Sequence, residues 1–291
     1  MVNRCYRSEL VGLLGTPVDE NPTVVPMEAA FRALGLDYRY VTMEVKPENL
    51  AIAIHSLKAL GFKGTNLTIP HKVEVLKYLD HIAPDAQVMG AVNTVYIKDG
   101  ETYGENTDGK GFLKTLNDAN VSMNGKTAVV LGAGGAARAI TVELANAGIT
   151  HITVVNVNPE RGNALVDLLN EKTAARANYV LWDHIYQIPD KTDLLIQATS
   201  IGLYPDLSCP NIDYDTLPQG LVVCDIVPNP PETGFVKRAR SKGCQTFVGL
   251  DMLVNQGVIS FKMWTGIDAP ADVMKEALSK EFFDNSSGSL V

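Results

Sequence analysis

The sequence predicts a two-domain fold of the α/β class. Its 291 residues correspond to roughly two domains of about 150 residues each. Short apolar runs alternate with helical patterns through most of the chain, and a glycine-rich turn at residues 132–137 stands between a predicted strand and a predicted helix. Such alternation favours a parallel sheet, in which ligands bind outside the carboxyl ends of the strands.

The composition excludes several classes of function. The chain has 25 Lys and Arg against 33 Asp and Glu, and the resulting net charge of -8 opposes binding to nucleic acid. It contains no stretch near the roughly 20 apolar residues that a membrane helix needs. We therefore expect a cytoplasmic protein without a membrane or nucleic-acid partner. Its four cysteines are widely spaced without a CxxC pair, which predicts neither a disulfide framework nor a zinc site: Cys5, Cys209, Cys224 and Cys244.

The first domain begins with a strand, a helix and a second strand. Residues 10–14 and 38–42 are short apolar runs of the kind that form strands. The helix between them is predicted from apolar residues at helical spacing, namely Met27, Ala30, Phe31 and Leu34.

A further strand and helix place a lysine at a strand end. Residues 64–69 predict the strand, and Pro70 ends it because proline has no N–H to donate to a sheet. A helix predicted over residues 73–79 then leaves His71 and Lys72 at the end of the strand. In a parallel sheet this is where chemistry is usually located.

A second domain is predicted to start after residue 108. A helical pattern that includes Phe112, Leu113 and Leu116 leads to a turn at Asn124-Gly125. A buried strand over residues 127–131 follows directly.

The glycine-rich turn and the segments after it complete the second domain. A helix over residues 137–147 and a strand over 152–155 form a βαβ unit with the strand before the turn. Two more strands are predicted at 193–197 and 221–225, and helical spacing resumes after residue 249 through Leu253, Val258 and Phe261. The predicted domains are 1–108, 109–247 and 248–291, the last with a polar tail at 284–289 that we expect to be disordered.

The turn matches the GxGxxA form of the dinucleotide-binding fingerprint. Gly132 permits the tight turn, Gly134 lets the backbone approach a pyrophosphate, and the helix N-terminus offers free N–H groups to the anion. Because a strand precedes the motif and a helix follows it, the sequence predicts a nucleotide site in a Rossmann-type, doubly wound domain. The alternative is a glycine turn with a structural role alone. The predicted cofactor contacts are Gly132, Ala133, Gly134, Gly135 and Ala136.

The end of the next strand bears on the choice between NAD and NADP. An acid there would bind the ribose 2′-hydroxyl of NAD, whereas an arginine would bind the 2′-phosphate of NADP. The chain has Asn156, Val157 and Asn158 instead. Asparagine can hydrogen-bond ribose hydroxyls and valine cannot pair a phosphate, which favours NAD, although Arg161 and Arg138 can serve NADP. Alternatively, the two asparagines only shape the turn.

Lys72 and Asp108 are candidates for proton transfer. Oxidation of a secondary alcohol needs a hydride acceptor and a group that takes the hydroxyl proton, and a lysine near a carboxylate can take it. The residues alone favour a surface lysine and a helix-capping aspartate. No metal is predicted, because the histidines are scattered: His55, His71, His81, His151 and His184. Apolar packing is the predicted role of Met252, Phe261, Met263 and Trp264.

Together, the motifs resemble those of the shikimate/quinate dehydrogenase family, in the same order and over nearly the whole chain. The resemblance implies an N-terminal substrate domain, a Rossmann domain, C-terminal helices that return to the first domain, and a cleft between the two domains. It also implies reversible reduction of a ring ketone on a cyclic carboxylate with NADPH or NADH. The matching segments are 64–72 (GTNLTIPHK), 90–94 (GAVNT), 106–109 (NTDG), 132–138 (GAGGAAR), 198–202 (ATSIG), 225–227 (DIV) and 252–257 (MLVNQG).

The resemblance assigns roles to individual positions. Lys72 and Asp108 match the family's catalytic pair, which reverses the interpretation from the residues alone. The other matches are substrate contacts at Thr68, Asn93 and Gln256, with Asn66 in the same strand as Thr68, and cofactor contacts at Thr199 and Gly249.

The chain departs from the family pattern where the substrate carboxylate is held. Asn21 and Thr23 replace two serines, Asp19 and Glu20 add negative charge nearby, and Pro228 replaces a tyrosine. Because the proton-transfer residues are kept, these changes predict altered substrate choice instead of lost chemistry. Asn21 and Thr23 can still donate hydrogen bonds to a carboxylate.

The expected activity is that of an NAD(P)-dependent dehydrogenase in aromatic amino acid biosynthesis, acting on shikimate/3-dehydroshikimate or quinate/3-dehydroquinate. NAD is favoured, because NADP-using relatives commonly have arginine at the position of Val157. We expect a monomer or a homodimer. The alternatives are a relative that acts on an amino-substituted or non-carboxylate ring, and a nucleotide-binding sensor that has lost turnover.

Overall fold

The computed structural model describes residues 6–286 and divides into two compact units. Among the described residues, the first unit comprises residues 6–107 and Gly257–Glu281, and the second comprises Asp108–Gln256 and residues 282–286. Cys5 and positions 287–289 of the predicted polar tail lie outside the described residues. The predicted domain bounds, and the substrate-binding and dinucleotide-binding roles assigned to those domains, stay predictions.

The sheet of the first unit has six strands in the order β2-β1-β3-β5-β6-β4. Strand β1 pairs in parallel with β2 and β3, and β4 with β6, but β5 runs antiparallel to both of its neighbours. The prediction of a parallel sheet is therefore wrong for β5, which forms a hairpin with β6. The strands are β1 (Glu9–Gly15), β2 (Tyr38–Glu44), β3 (Phe62–Leu67), β4 (His81–Ile82), β5 (Thr94–Lys98) and β6 (Glu101–Glu105).

Four helices connect these strands: α1 (Val24–Ala33), α2 (Leu50–Ala59), α3 (His71–Glu74) and α4 (Pro84–Met89). Two predicted boundaries are wrong. Strand β3 ends at Leu67 instead of Ile69, and the helix predicted over residues 73–79 starts at His71 and continues from Val75 to Tyr78 as a 3-10 helix. Lys72 therefore lies in the first turn of α3. A short 3-10 helix, Pro47–Asn49, leads into α2.

The second unit is built on six strands that all pair in parallel, in the order β12-β11-β10-β7-β8-β9. This is the predicted doubly wound topology, and the strand order reverses between β7 and β10, where such sheets bind ligands. Its strands are β7 (Thr127–Leu131), β8 (His151–Asn156), β9 (Arg176–Leu181), β10 (Leu194–Gln197), β11 (Val222–Asp225) and β12 (Gln245–Phe247). Its helices include α5 (Thr107–Asp118), α6 (Gly135–Asn146), α7 (Pro159–Lys172) and α8 (Gly234–Ser241).

The last two helices, α9 (Gly249–Thr265) and α10 (Ala271–Ser286), contribute to the first unit. Phe261 stacks on Phe31 with ring centroids 5.2 Å apart, and the Trp264 indole donates to the Val95 carbonyl at 3.0 Å. These contacts confirm the predicted return of the C-terminal helices and the packing role of both aromatic residues. The predicted disordered tail is wrong at 284–286, because α10 extends to Ser286.

Residues 6–286 contain neither a candidate membrane-spanning helix nor a candidate metal-binding cluster. No helix in that range has the length and apolar character needed to cross a bilayer. Nor does it contain a cluster of three or more His, Cys, Asp or Glu residues placed to bind a metal.

Candidate functional site

The glycine-rich turn joins β7 to α6 in the second unit. Gly132 has φ +110°, and a Cβ atom there would lie 2.6 Å from the Ala198 carbonyl oxygen. Its N–H donates to the Val155 carbonyl at 2.8 Å, which ties the turn to β8. A side chain at this position would be both strained and obstructed, so the turn requires glycine.

Gly134 differs from Gly132 because nothing in the protein opposes a side chain there. It is the N-cap of α6 with φ −85°, and a Cβ atom built on it meets no atom within 4 Å, as is also true of Gly135. No described side chain caps the first turn of α6 and no acid lies in it. The N–H groups of the helix N-terminus therefore face open space, which fits the pyrophosphate of a dinucleotide.

This turn forms one side of a cavity of about 620 Å³ at the carboxyl ends of the central strands. The predicted contacts Gly132 to Ala136, Asn156, Val157, Arg161 and Thr199 all line it, whereas Asn158 and Gly249 do not. The lining residues for which the sequence predicts no cofactor contact follow the ends of β9, β10 and β11: Trp182, Ala198, Ser200, Ile201, Leu203, Ile226, Val227 and Pro228. The rule that ligands bind beyond the carboxyl ends of strands would have located most of them.

The two asparagines at the end of β8, Asn156 and Asn158, have different roles. Asn156 is buried and lines the cavity, and its side-chain amide donates to the Asn158 carbonyl at 2.9 Å. Asn158 caps α7, because its side-chain oxygen accepts from the Arg161 N–H at 2.9 Å. Asn158 thus shapes the turn, which is the alternative role predicted for both asparagines. Val157 is 68% exposed between them, and the Arg161 side chain is also exposed.

Two buried polar residues are the last residues of the strands next to the cavity. Gln197 ends β10 and Asp225 ends β11, with 3.5 Å between the Gln197 amide nitrogen and an Asp225 carboxyl oxygen. Burial raises the pKa of Asp225 to about 6, although hydrogen bonds from the Thr233 hydroxyl and the Val227 N–H act in the opposite direction. The sequence reasoning did not assign either side chain.

In the first unit, backbone contacts fix the position of Lys72. The Lys72 carbonyl accepts from the Val92 N–H at 2.8 Å. The neighbouring His71 is buried, and its Nε2 lies 2.7 Å from the Val45 carbonyl oxygen, which identifies this nitrogen as the donor. The His71 N–H donates to the Thr68 carbonyl at 2.9 Å. The half-buried Lys72 side chain therefore starts from a well-anchored backbone.

Asn93 anchors the start of α5. Its side-chain oxygen accepts from the Thr107 N–H at 2.7 Å, and its amide donates to the Thr107 hydroxyl at 3.0 Å. Asp108 follows Thr107 as the second residue of α5 and is half-buried. Asn93 thus anchors Thr107, the residue that directly precedes Asp108.

The remaining predicted substrate contacts have different surroundings. Asn66 is buried, accepts from the Tyr40 hydroxyl at 2.8 Å and donates to the Thr94 hydroxyl at 2.9 Å, so its side chain supports the sheet. The Thr68 hydroxyl is half-buried and has no hydrogen-bond partner within residues 6–286. Gln256 is buried in α9 of the second unit, where a Cβ atom on Gly111 would lie 2.6 Å from its backbone nitrogen.

Asn21 and Thr23 bind each other before α1. The Thr23 hydroxyl donates to the Asn21 side-chain oxygen at 2.6 Å, and the Thr23 N–H donates to the same oxygen at 3.1 Å. The Thr23 proton is therefore already used, and the Asn21 amide is the donor that the pair can still offer. Asp19 and Glu20 are exposed, so their charges face solvent.

Comparison with known proteins gives the same family from three directions. Three protein-family models match the chain. The model of the shikimate dehydrogenase substrate binding domain matches residues 13–95, and that of shikimate / quinate 5-dehydrogenase matches residues 115–204. The model of the shikimate 5'-dehydrogenase C-terminal domain matches residues 249–278. A shikimate dehydrogenase (NADP(+)) of Moorella thermoacetica is 42% identical over 281 residues, which cover 96% of this chain and 95% of the relative. The chain belongs to the shikimate/quinate dehydrogenase family. Membership makes it an oxidoreductase that acts on a CH–OH group, as the sequence predicted.

Two solved structures with this fold belong to enzymes that are named for different substrates. The ligand-free 5-ketofructose reductase of Gluconobacter sp. strain CHM43 is 46% identical with a TM-score of 0.93, and the match covers 96% of this chain and all 100% of that one. Shikimate 5-dehydrogenase from Listeria monocytogenes, solved with shikimate and NAD, is 32% identical with a TM-score of 0.87 over 96% and 99% of the two chains. The family members thus differ in substrate and in cofactor, and the predicted preference of this chain for NAD finds no support in these comparisons.

Proposed function

We propose that this family member interconverts a ketone and a secondary alcohol on a polyhydroxylated small molecule with NAD or NADP. The observation that carries the proposal is the cavity at the switch point of the second unit, bounded by a turn in which Gly134 leaves space above a helix N-terminus. The glycine-rich turn would hold the pyrophosphate, and Asn156, Val157 and Arg161 the adenosine ribose. When bound, the nicotinamide supplies or accepts the hydride.

The proton is the part of the reaction that we assign to this chain's own side chains. As the carbinol carbon loses a hydride, its hydroxyl loses a proton, and we propose that the Lys72 amine accepts it, with Asp108 as the second member of the catalytic pair. In the reverse direction the lysine returns the proton to the forming alkoxide. Asn93, Gln256 and Thr68 would hold the other hydroxyls, since a desolvated polyol needs paired donors and acceptors.

Ring acids of the shikimate and quinate type, with their 3-dehydro partners, are the first candidate substrates because of the family. The Asn21–Thr23 pair favours a second candidate, an uncharged keto-polyol of the kind that 5-ketofructose reductase acts on. A carboxylate prefers two hydroxyl donors, whereas here the Thr23 hydroxyl already donates to Asn21. Pro228, where the family usually has tyrosine, offers no donor at all.

Restoring the two serines tests the choice of substrate. We expect wild-type protein to have a higher kcat/KM for 5-ketofructose than for shikimate or quinate, and the double variant Asn21→Ser, Thr23→Ser to reverse the order. One recovered hydroxyl donor to a charged group corresponds to roughly a 10-fold or larger gain for the ring acid. If wild-type protein has the higher kcat/KM for a ring acid, and the double variant does not change that order, the proposal of an uncharged substrate is wrong. The ring acids are then the supported substrates.

The exposed Val157 allows a test of cofactor choice. We propose that the chain binds NAD at least as well as NADP, because no positive charge lies between Asn156 and Asn158. The variant Val157→Arg should bind NADPH roughly 10-fold or more tightly, since an arginine at this position can pair the 2′-phosphate, with little change for NADH. Fluorescence titration with both reduced dinucleotides gives the ratio. A wild type that already binds NADPH much more tightly would show that Arg161 or Arg138 serves the phosphate.

We also propose that the protein acts in the cytoplasm as a monomer or homodimer with small molecules as its only partners. A sensor that binds the dinucleotide without turnover is the competing function. A panel of polyol substrates that gives no rate, despite measurable dinucleotide binding, would favour the sensor.

A further inference from the structure

A network of buried side chains lies behind the cavity of the second unit. Asp225 and Gln197 are 2% and 0% exposed, and they end neighbouring parallel strands. The two chain segments that follow these strands both line the cavity, with Thr199 to Ile201 after β10 and Ile226 to Pro228 after β11. The pair is therefore joined to both segments by the backbone as well as by side-chain hydrogen bonds.

Asp225 acts only as a hydrogen-bond acceptor. One carboxyl oxygen accepts from the Thr233 hydroxyl at 2.5 Å, at the N-cap of α8. The other accepts from the Val227 N–H at 3.0 Å and faces the Gln197 amide at 3.5 Å. The Ile226 N–H donates instead to the Gln197 backbone carbonyl at 3.1 Å. Three donors converge on this carboxylate, so an ionised acid is the side chain that satisfies all of them.

Gln197 extends the network to the other segment. Its side-chain oxygen accepts from the Thr199 N–H at 2.6 Å and from the Thr199 hydroxyl at 2.7 Å. Its amide donates to the Ile201 carbonyl at 2.9 Å. Every polar atom of the Gln197 side chain is thus engaged, and its orientation is set by the carboxylate on one side and by the cavity-lining segment on the other.

We propose that Asp225 is a positioning residue for the dinucleotide, holding both cavity-lining segments through Gln197 and the Val227 N–H in the arrangement that binds the cofactor. The inference rests on the proposed function, because it concerns the same cavity. Asp225 itself does not line the cavity, so it acts through the residues that it orders.

The protonation state of Asp225 gives this role a signature. As the pH falls through about 6, the carboxyl takes up a proton and presents an O–H to a group of donors. Affinity for the dinucleotide should therefore decrease below about pH 6. The titratable groups that interact with Asp225 are Tyr214 and the Cys224 thiol, and burial raises the pKa of both, so neither changes its charge in this range.

The variant Asp225→Asn tests the proposal. An amide of the same shape must turn its NH2 group toward at least one of the three donors. We expect this to weaken binding roughly 10-fold or more and to flatten the pH dependence between 5 and 8. Asp193→Asn is the matched control. Asp193 also accepts from a backbone N–H and a hydroxyl, both of Thr127, but it lies before β10 at the opposite end of the sheet, away from the cavity.

The readout is the dissociation constant for NADH and for NADPH at each pH, with thermal unfolding of every variant. Weakened, pH-independent binding by Asp225→Asn alone supports the proposal. Wild-type affinity in Asp225→Asn overturns it, as does an equal loss of affinity in both variants. If Asp225→Asn does not fold, Gln197→Met is measured instead, because it removes the hydrogen bonds to Thr199. Weakened dinucleotide binding by this variant supports the proposal, and wild-type affinity overturns it. A wild type that binds neither dinucleotide would overturn the proposed function itself.

Discussion

Replacing Lys72 with methionine is expected to lower kcat by about 100-fold or more while leaving dinucleotide affinity unchanged. Methionine keeps much of the length of the side chain but cannot accept or return a proton, and general acid–base help contributes about that factor. The backbone contacts of Lys72 with Val92 remain available, so the fold of α3 should persist. Because the residues that line the cavity belong to the second unit, binding of NADH or NADPH should not change.

Lys77→Met is the matched control for this prediction. Lys77 lies in the next helical segment of the same unit, is 67% exposed and pairs with Glu74 at 2.8 Å. An exposed ion pair of this kind contributes little, so we expect rates within about twofold of wild type. If Lys72→Met kept most of the wild-type turnover with its best substrate, the assignment of the proton to Lys72 would be wrong.

Replacing Gly134 with alanine should abolish much of the dinucleotide binding without loss of stability. The position has an ordinary φ of −85°, and the added methyl group meets no protein atom within 4 Å, so unfolding should occur at or slightly above the wild-type temperature. In the complex, however, the methyl group occupies the space that a pyrophosphate needs. Such overpacking costs about 1–3 kcal/mol, or roughly a 5- to 150-fold weaker complex.

Gly132→Ala provides the contrast. At φ +110° and 2.6 Å from the Ala198 carbonyl oxygen, its methyl group should lower the unfolding temperature as well as the affinity. Thermal unfolding and fluorescence titration on both variants separate the two causes. A stable Gly134→Ala protein with wild-type affinity for both NADH and NADPH would show that the cavity does not hold the pyrophosphate at this turn.

Much of the fold was accessible to pattern reasoning, and the misses have identifiable physical causes. The GxGxxA turn and the buried strand before it predicted the doubly wound domain, since parallel strands buried on both faces read as apolar runs. The antiparallel β5 was missed although Asp99-Gly100, with φ of 52° and 80°, forms the two-residue turn that is typical of hairpins. Strand β9 alternates exposed and half-buried residues at the sheet edge and gives a weak apolar signal.

The site was predicted in part for a similar reason. Residues within one contiguous motif, such as Gly132 to Ala136, can be found from spacing alone. Gln197 and Asp225 come from strands that are far apart in sequence, and only the sheet brings their side chains together. The interaction between Asn21 and Thr23 was hidden as well, because the sequence shows two donors and the structure shows that one of them is already used.

The initial rate of the wild-type protein tests the central claim most directly. Absorbance of the reduced nicotinamide is followed with shikimate and quinate, each with NAD and NADP, and with 5-ketofructose, with NADH and NADPH. We expect turnover in at least one combination and a loss of about 100-fold in Lys72→Met under the same conditions. Dinucleotide binding without a measurable rate on any of the three substrates would contradict it and indicate a protein that binds the cofactor without catalysis.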